Sequence, residues 1–314
     1  MIPIGTTKGG DDVHAIKLAA HGLSVTILTL GAILQDVRLD GIDHGLTVGS
    51  DKLADYEGSM KYHGCVAAPV VNRLQNATAV IDGRTHQFEA NLNDRHTLHS
   101  GAGGAQFHVW TVTESAPDHL TLSHDMPHGR GGFPGNRTIK AQFEIHSGPV
   151  LRLTLTTTTD RPSIANATNH SYWNLDGAAD FGGHQLQITA PSYLPTDDVD
   201  MLVTGEVCDV ARTAYDFRKM KVLTAGSPPL DTTFCVASRR WELTECLTLS
   251  GRNGVTMKVA TTEAGMHVYD GRDTGYSGLA IEAQGWPDAP NNAGFPSIQI
   301  TPDAPAIQIT EWRF

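Results

Sequence analysis

Ten consecutive residues, Asn166-Ala-Thr-Asn-His-Ser-Tyr-Trp-Asn-Leu175, gather one histidine, three asparagines, a threonine, a serine, a tyrosine and a tryptophan. Drawn as an extended segment, the stretch puts Thr168, His170 and Tyr172 on one face and Asn169, Ser171 and Trp173 on the other. One imidazole among neutral hydrogen-bonding groups suits a neutral ligand with many hydroxyls. The ring exchanges protons near neutral pH, amides and hydroxyls bind OH groups, and aromatic faces pack on C–H surfaces. A polar turn with a solvated histidine would read the same way. What favours the chemical reading is a carboxylate far along the chain, Glu282 in Leu279-Ala-Ile-Glu-Ala-Gln284. As a strand this segment places Leu279, Ile281 and Ala283 on one face and Ala280, Glu282 and Gln284 on the other. It then opens into a Trp286-Pro-Asp-Ala-Pro-Asn loop. An ordinary solvent-facing glutamate is the alternative.

Further candidates are scattered. Asn72-Arg73 follows the apolar run Val66–Val71; an amide beside a forked cation can hold neighbouring hydroxyls, or the arginine can pair with a carboxylate. Asp231 follows Ser227-Pro-Pro-Leu230 and could accept from two hydroxyls or cap a turn. His96 and His99 in a glycine-rich loop, and His124 with His128 beside Pro127, have metal-like spacings without the helix that would align them. No G-x-S-x-G, phosphate-binding loop, G-x-G-x-x-G after a strand or HExxH occurs.

These residues need a scaffold, and the sequence reads as strands. Leu23–Ile27, Leu120–Ser123, Leu151–Thr156, Leu186–Thr189, Val255–Val259 and Ile298–Thr301 alternate with period two. Asp82-Gly83 and Asn253-Gly254 signal two-residue hairpins, and only Asp51–Glu57 reads as a short helix. Across 314 residues, 32 glycines, 16 prolines and only 18% charged residues favour many short strands. The expectation is all-β: one domain over residues 1–314, built of packed antiparallel sheets. Three long connections, His124–Asn136, Ala190–Met201 and Gly285–Pro296, are where such a scaffold carries sites. A net charge of −11 argues against nucleic acid or an anionic membrane as partner. The apolar run Leu23–Leu34 is too short to span a bilayer, the N-terminus has no apolar signal core, and four dispersed cysteines read as reduced thiols, which together suggest a cytoplasmic protein.

Taken together the motifs resemble the aldose 1-epimerases (galactose mutarotases) over nearly the whole chain. The resemblance runs through Leu30-Gly-Ala-Ile-Leu34, Asn72-Arg73-Leu74, Leu98-His99, Gly132-Phe-Pro-Gly135, Thr168–Leu175, Tyr215-Asp-Phe-Arg218, Glu282-Ala-Gln284 and Pro287-Asp-Ala-Pro-Asn291. It implies a large antiparallel β-sandwich of the galactose mutarotase type, no cofactor and no metal, and a monosaccharide substrate for a monomer or homodimer. It also implies roles: His170 as the acid that protonates the ring oxygen, Glu282 as the base at the anomeric hydroxyl, and Asn72, Arg73, His99 and Asp231 as holders of sugar hydroxyls, with Gln284 beside them. Three departures bear on substrate rather than reaction: Ala68-Pro69 where the family often has Gly-Arg, His99-Ser100-Gly101 for His-Gly-Gly, and Thr301-Pro-Asp-Ala304 for Arg-Pro-Gly-Glu.

Two rival classes stay open at this level. A non-catalytic sugar-binding sandwich would need neither proton-transfer group, and a glycoside hydrolase would want a second carboxylate, for which Asp231 or Asp288 could serve. The acid–base reading carries an expectation about pH. The acidic limb of a bell-shaped profile should report Glu282 and the alkaline limb His170, with the His170 value raised by a nearby carboxylate.

Overall fold

The computed structural model describes residues 1–314. Its longest strands form where apolar and polar residues alternate most strictly. Along Arg137–His146 the side chains of Ile139, Ala141, Phe143 and Ile145 are buried, and along Val150–Thr159 those of Leu151, Leu153 and Leu155. The register pairs Phe143 with Leu153 and Ile145 with Leu151, so both apolar rows fall on one face. Each leucine, isoleucine or phenylalanine of these rows, once buried, contributes about 1.5–3 kcal/mol.

These two strands are the third and fourth of a nine-stranded sheet that runs from Thr111–Ser115 at one edge to Lys221–Val222 at the other, with the C-terminal strand Ala306–Arg313 at its centre. A six-stranded sheet follows the order Tyr172–Trp173, Leu279–Gln284, Gly265–Tyr269, Asp231–Cys235, Ser192–Leu194 and Cys208–Asp209. The N-terminal strands Ile2–Thr6, Asp12–Ala20, Leu23–Leu28 and Leu34–Leu39 make a meander of four. All strand pairings are antiparallel. One buried cluster joins residues of all three sheets, including Val25, Ile27, Leu153, Trp312, Phe234, Val268 and Ile281. The result is a large antiparallel β-sandwich, as the alternation indicates.

The six-stranded sheet positions the chemistry. Phe234, Met266, Val268, Ile281 and Ala283 face the core, so period two sends Asp231, Thr233, His267 and Glu282 to the opposite face. That face is closed over by segments around Tyr62, Asn72 and His99, which line a cavity with it. Glu282 is therefore not the solvent-facing residue its strand pattern allows: it is 1% exposed.

Local expectations are met where the signal is local. Asp82 (φ 50°) and Gly83 (φ 73°) form the tight turn between Thr78–Ile81 and Arg84–Gln87. Leu53–Tyr56 is the short helix within Asp51–Glu57. At Asn253-Gly254 the two-residue turn does not form, because Ser250 pairs with Thr256 and leaves five residues between. The reason is tertiary. The Asn253 side-chain amide donates to the Leu175 carbonyl (2.7 Å), and its backbone N–H donates to Asp176 (3.0 Å), which draws the loop open. The long connection His124–Asn136 is ordered by close packing. Phe133 stacks on Phe88 at 4.4 Å, and at Gly132 (φ 87°) a Cβ would lie 2.1 Å from the Gln87 carbonyl oxygen.

Candidate active site

The Asn166–Leu175 stretch is not one strand. Thr168–Asn169 pairs with Val66–Ala67, Tyr172–Trp173 pairs with Leu279–Ala280, and His170 and Ser171 bridge the two. The His170 backbone is fixed by bonds in both directions with Gly64 and Cys65, at 2.9 and 2.8 Å. Its ring lies between those of Tyr62 (centroids 6.0 Å) and Tyr172 (5.3 Å), with His99 edge-on at 5.4 Å. Trp173 turns to the core, as the alternation requires. His170 Nε2 lies 3.5 Å from Glu282 Oε1. Glu282 Oε2 and His170 Nδ1 have no partner in the protein.

Facing this pair is a network built on Asp231, the first residue of its strand. Arg73 donates to it through both terminal nitrogens, at 3.1 and 3.5 Å. His267 Nε2 approaches its other side at 3.1 Å. Because the Asp231 carboxylate only accepts, the neutral His267 ring carries its proton on Nε2, and Nδ1 accepts from Thr233 Oγ1 at 2.9 Å. Asn72 and His99 both adopt left-handed backbone, φ 62° and 47°. They brace each other: His99 N–H donates to the Asn72 carbonyl (3.0 Å), and Asn72 N–H donates to His99 Nδ1 (3.2 Å). An Nδ1 that accepts leaves the His99 proton on Nε2. These groups, with Tyr62, Tyr172, Tyr269 and Asp273, line a cavity of about 170 Å³.

Burial sets the charges. It pushes the Glu282 carboxyl well above the usual carboxylate range, with Asp231 adding to the shift and Arg73 opposing it. It pushes His170 down to about 3, with His63 and His267 acting in the same sense. His99 is lowered as well, by burial first and then by His170 and Arg73. Burial would also raise Asp231, but His267 and Arg73 overcome it and hold that carboxyl well below its ordinary value. The unliganded His170–Glu282 contact is therefore a neutral pair holding one proton rather than an ion pair. This corrects the expectation of a raised His170: the carboxylate is close, but desolvation of both partners outweighs it.

The structure brings His170, Glu282, Asn72, Arg73, His99 and Asp231 to one cavity. Gln284 does not reach it. The side chain is fully buried, and its amide donates to the Gly285 carbonyl at 3.2 Å. Two positions beyond Glu282, it shares that residue's face but lies beside Gly265 rather than His267. His267 is the cavity residue that motif spacing missed. It sits directly across the strand pair from Glu282, and its signal is the alternation of Met266 and Val268 with His267 and Tyr269. His96 points elsewhere, to Asp200 at 3.2 Å and Asn76, and makes no metal pair with His99. His128 Nδ1 accepts from Gly135, and His124 stacks on His108. Ser100, one of the departures, is engaged with both backbone groups of Val70 and does not line the cavity. In a larger cleft of about 540 Å³ near Gln35, His44 and Asn174, the histidine pairs with the fully exposed Asp43 at 3.0 Å. The amides of that cleft already bond to Ser50, Ala178 and Ser277 carbonyls.

A pair that can share one proton, opposite a fixed array of hydrogen-bonding groups, can move protons on a small polyhydroxylated ligand. The aldose 1-epimerase family model matches residues 14–305. The chain belongs to the aldose 1-epimerase family. It is 27% identical to galactose mutarotase from Bos taurus over 98% of this chain and 95% of that protein. It is 27% identical to aldose 1-epimerase from Escherichia coli over 93% and 92%. Among solved structures, an aldose epimerase homologue from C. elegans superposes with a TM-score of 0.89 at 25% identity, covering 96% of this chain and 98% of that one. Galactose 1-epimerase from Lactobacillus acidophilus gives 0.84 at 26%, covering 98% and 96%. Membership of this family makes the protein an isomerase on a galactose mutarotase-like sandwich.

Proposed function

We propose that the protein interconverts the α- and β-anomers of free aldoses, glucose and galactose among them, by opening and reclosing the ring. The observation that carries this reading is the His170–Glu282 pair, 3.5 Å apart, 4% and 1% exposed, on one wall of a cavity large enough for a single sugar. Ring opening removes a proton from O1 and delivers one to the ring oxygen; closure reverses both. Glu282 takes the O1 proton and His170 gives one to the ring oxygen, each transfer contributing roughly 10²–10⁴-fold. Sugar hydroxyls arriving in the cavity supply hydrogen bonds to the charged forms that the empty site lacks, and so favour the tautomer with carboxylate and imidazolium. Asp231, Arg73, Asn72 and the His99 Nε2–H hold hydroxyls away from C1 and leave C1–C2 free to rotate. The two carboxylates the sequence offered to a hydrolase are both engaged: Asp231 is tied to Arg73 and His267, and Asp288 accepts from Gln75, Asn291 and Asn292. Polarimetry on fresh α-D-glucose and α-D-galactose tests the proposal, beside a disaccharide hydrolysis assay. Acceleration over buffer is expected in the first and none in the second; the reverse overturns it.

These proton transfers involve only side chains of the chain itself. Exhaustive dialysis against a chelator should leave the mutarotation rate unchanged. Activity lost on dialysis and restored by a divalent metal would return His96 and His99 to consideration. No helix is long and apolar enough to cross a membrane. The four cysteines are free thiols, which supports the proposal of a cytoplasmic setting.

Arg73→Ala should act mainly on binding. Its contacts lie on the Asp231 side of the cavity and change little as the ring opens, so the loss belongs in KM. Hydrogen bonds from a charged donor are worth about 1.5–3 kcal/mol, or roughly 10- to 100-fold. An effect confined to kcat would show instead that Arg73 stabilises charge in the transition state.

A further inference from the structure

The catalytic cavity is closed at one end and open at the other. Along strand Gly265–Tyr269, Gly265 pairs with the fully buried Gln284 and His267 with Glu282, while the half-buried Tyr269 pairs with Ala280 on one side and Asp231 on the other. The mouth therefore lies at the Tyr269 end, two residues, or roughly 7 Å, from His267. Asp273 stands there, exposed, and lines the cavity.

Its position is fixed. The Tyr269 hydroxyl donates to Asp273 Oδ2 (2.8 Å) and accepts from the Asp273 N–H (3.4 Å). The turn that carries it is drawn tight, because Thr274 N–H and Tyr276 N–H both donate to the Gly271 carbonyl, at 2.9 and 3.0 Å. At Gly271 (φ 63°) a Cβ would lie 2.5 Å from the Gly278 carbonyl oxygen and 3.5 Å from the Tyr172 ring, so the turn rests against the cavity wall. Asp273 Oδ1 is left to accept from a ligand.

The other charges at the cavity cancel. Arg73 and Asp231 pair with each other, and His170 and Glu282 share one proton. Burial lowers His99 and raises the phenols of Tyr62, Tyr172 and Tyr269, which keeps all four uncharged. His267 adds no charge while its ring is neutral. Arg272, next to Asp273 in the chain, engages both oxygens of Asp270 (2.8 and 3.1 Å) and the Leu230 carbonyl (3.0 Å). Lys61 lies over the Tyr62 ring at 5.1 Å and does not line the cavity. One carboxylate at the mouth is thus without a counter-charge of its own.

We propose that Asp273 selects substrates by charge: the protein anomerises aldoses carrying an ammonium group on the side of the ring away from C1 in preference to neutral ones, and disfavours those carrying a carboxylate there. The inference rests on the anomerase reading above. With C1 at Glu282, the C6 side of a pyranose faces the mouth. An ammonium at C6 donates to Asp273 Oδ1 in a charge-assisted hydrogen bond, whereas a carboxylate at the same carbon meets a like charge. The proton transfers at C1 are the same for all three.

6-Amino-6-deoxy-D-glucose, D-glucose and D-glucuronate differ only at C6, and magnetisation exchange between their anomeric protons gives kcat/KM for each, with buffer catalysis subtracted. At neutral pH and low ionic strength, wild type should prefer the amino sugar to glucose, and glucose to the uronate, by roughly threefold at each step, the size of a half-exposed charge pair. High salt should narrow both ratios. Asp273→Asn keeps an oxygen for the Tyr269 hydroxyl and should lower the amino-to-glucose ratio and raise the uronate-to-glucose ratio, each by roughly threefold. Asp273→Lys, at an exposed position, should reverse the order, and it carries the test if Asp273→Asn does not fold. Equal rates on the three sugars in wild type, or an order that survives in both variants, overturns the inference and leaves the anomerase reading intact. Variants that slow all three sugars alike also overturn it, since loss of structure alone would do that. No acceleration of any sugar, galactose included, defeats the anomerase reading, and this inference with it.

Discussion

Glu282→Gln lowers the anomerisation rate by roughly 10²–10⁴-fold while sugar binding persists. Glutamine is nearly isosteric and still offers an oxygen to an O1 hydroxyl, but it cannot take the proton at any pH of interest. The substitution is mild for the fold, because the group it replaces is already held protonated by burial in the empty site. An amide next to His170 Nε2 keeps a hydrogen-bonding neighbour at the 3.5 Å contact. Polarimetry gives the rate and calorimetry the affinity, with thermal unfolding as the check on folding. A variant within a few-fold of the wild-type rate would remove Glu282 from the mechanism.

His170→Asn should cause a comparable loss and, in addition, change the shape of the pH profile. In the wild type the competent state carries one proton on the pair. With His170 held down to about 3, a second proton joins the pair only as the pH falls toward that value. With Glu282 raised, the pair loses its last proton only above the ordinary carboxylate range. The sign is worked out from these directions: kcat/KM falls below the His170 value and again above the Glu282 value. The limbs are thus exchanged relative to the expectation from unperturbed groups: the acidic limb lies below the free carboxyl value of about 4, and the alkaline limb is set by the raised Glu282. Because the groups interact, the limbs belong to the pair. Removing the imidazole leaves only a base that must be ionised. Residual activity of His170→Asn should therefore rise with pH through the Glu282 value and show no alkaline fall. Rates on fresh α-D-glucose, with buffer catalysis subtracted, decide the point. A surviving alkaline limb would mean that another group is the acid, with His99 the first suspect.

Much of this site is legible in the residues. The Thr168–Leu175 stretch, Asn72-Arg73, His99 and Asp231 stand out as polar groups beside apolar runs, and His170 and Tyr172 of that stretch converge with the others on one cavity. His267 did not stand out, because a lone histidine in Gly265–Tyr269 acquires meaning only when the strand register sets it opposite Glu282 and beside Asp231. Gln284 looked equivalent to Glu282 by parity. Parity fixes a face but not a position along the strand, and two residues, roughly 7 Å, separate the cavity wall from closed packing.

The sequence by itself determined the sandwich, the tight turn at Asp82-Gly83 and the kinds of group available for acid–base work. Period-two alternation and turn chemistry are local properties that each segment carries wherever it is placed. Only the tertiary structure decided which side of the six-stranded sheet became a cavity, that Asn253 would be pulled out of a two-residue turn by Leu175 and Asp176, and that His170 and Glu282 would meet uncharged. The physical reason is the same in each case. Burial and long-range hydrogen bonds arise between segments far apart in the chain, and desolvation, which outweighs the attraction between these two groups, exists only once other residues have closed over them.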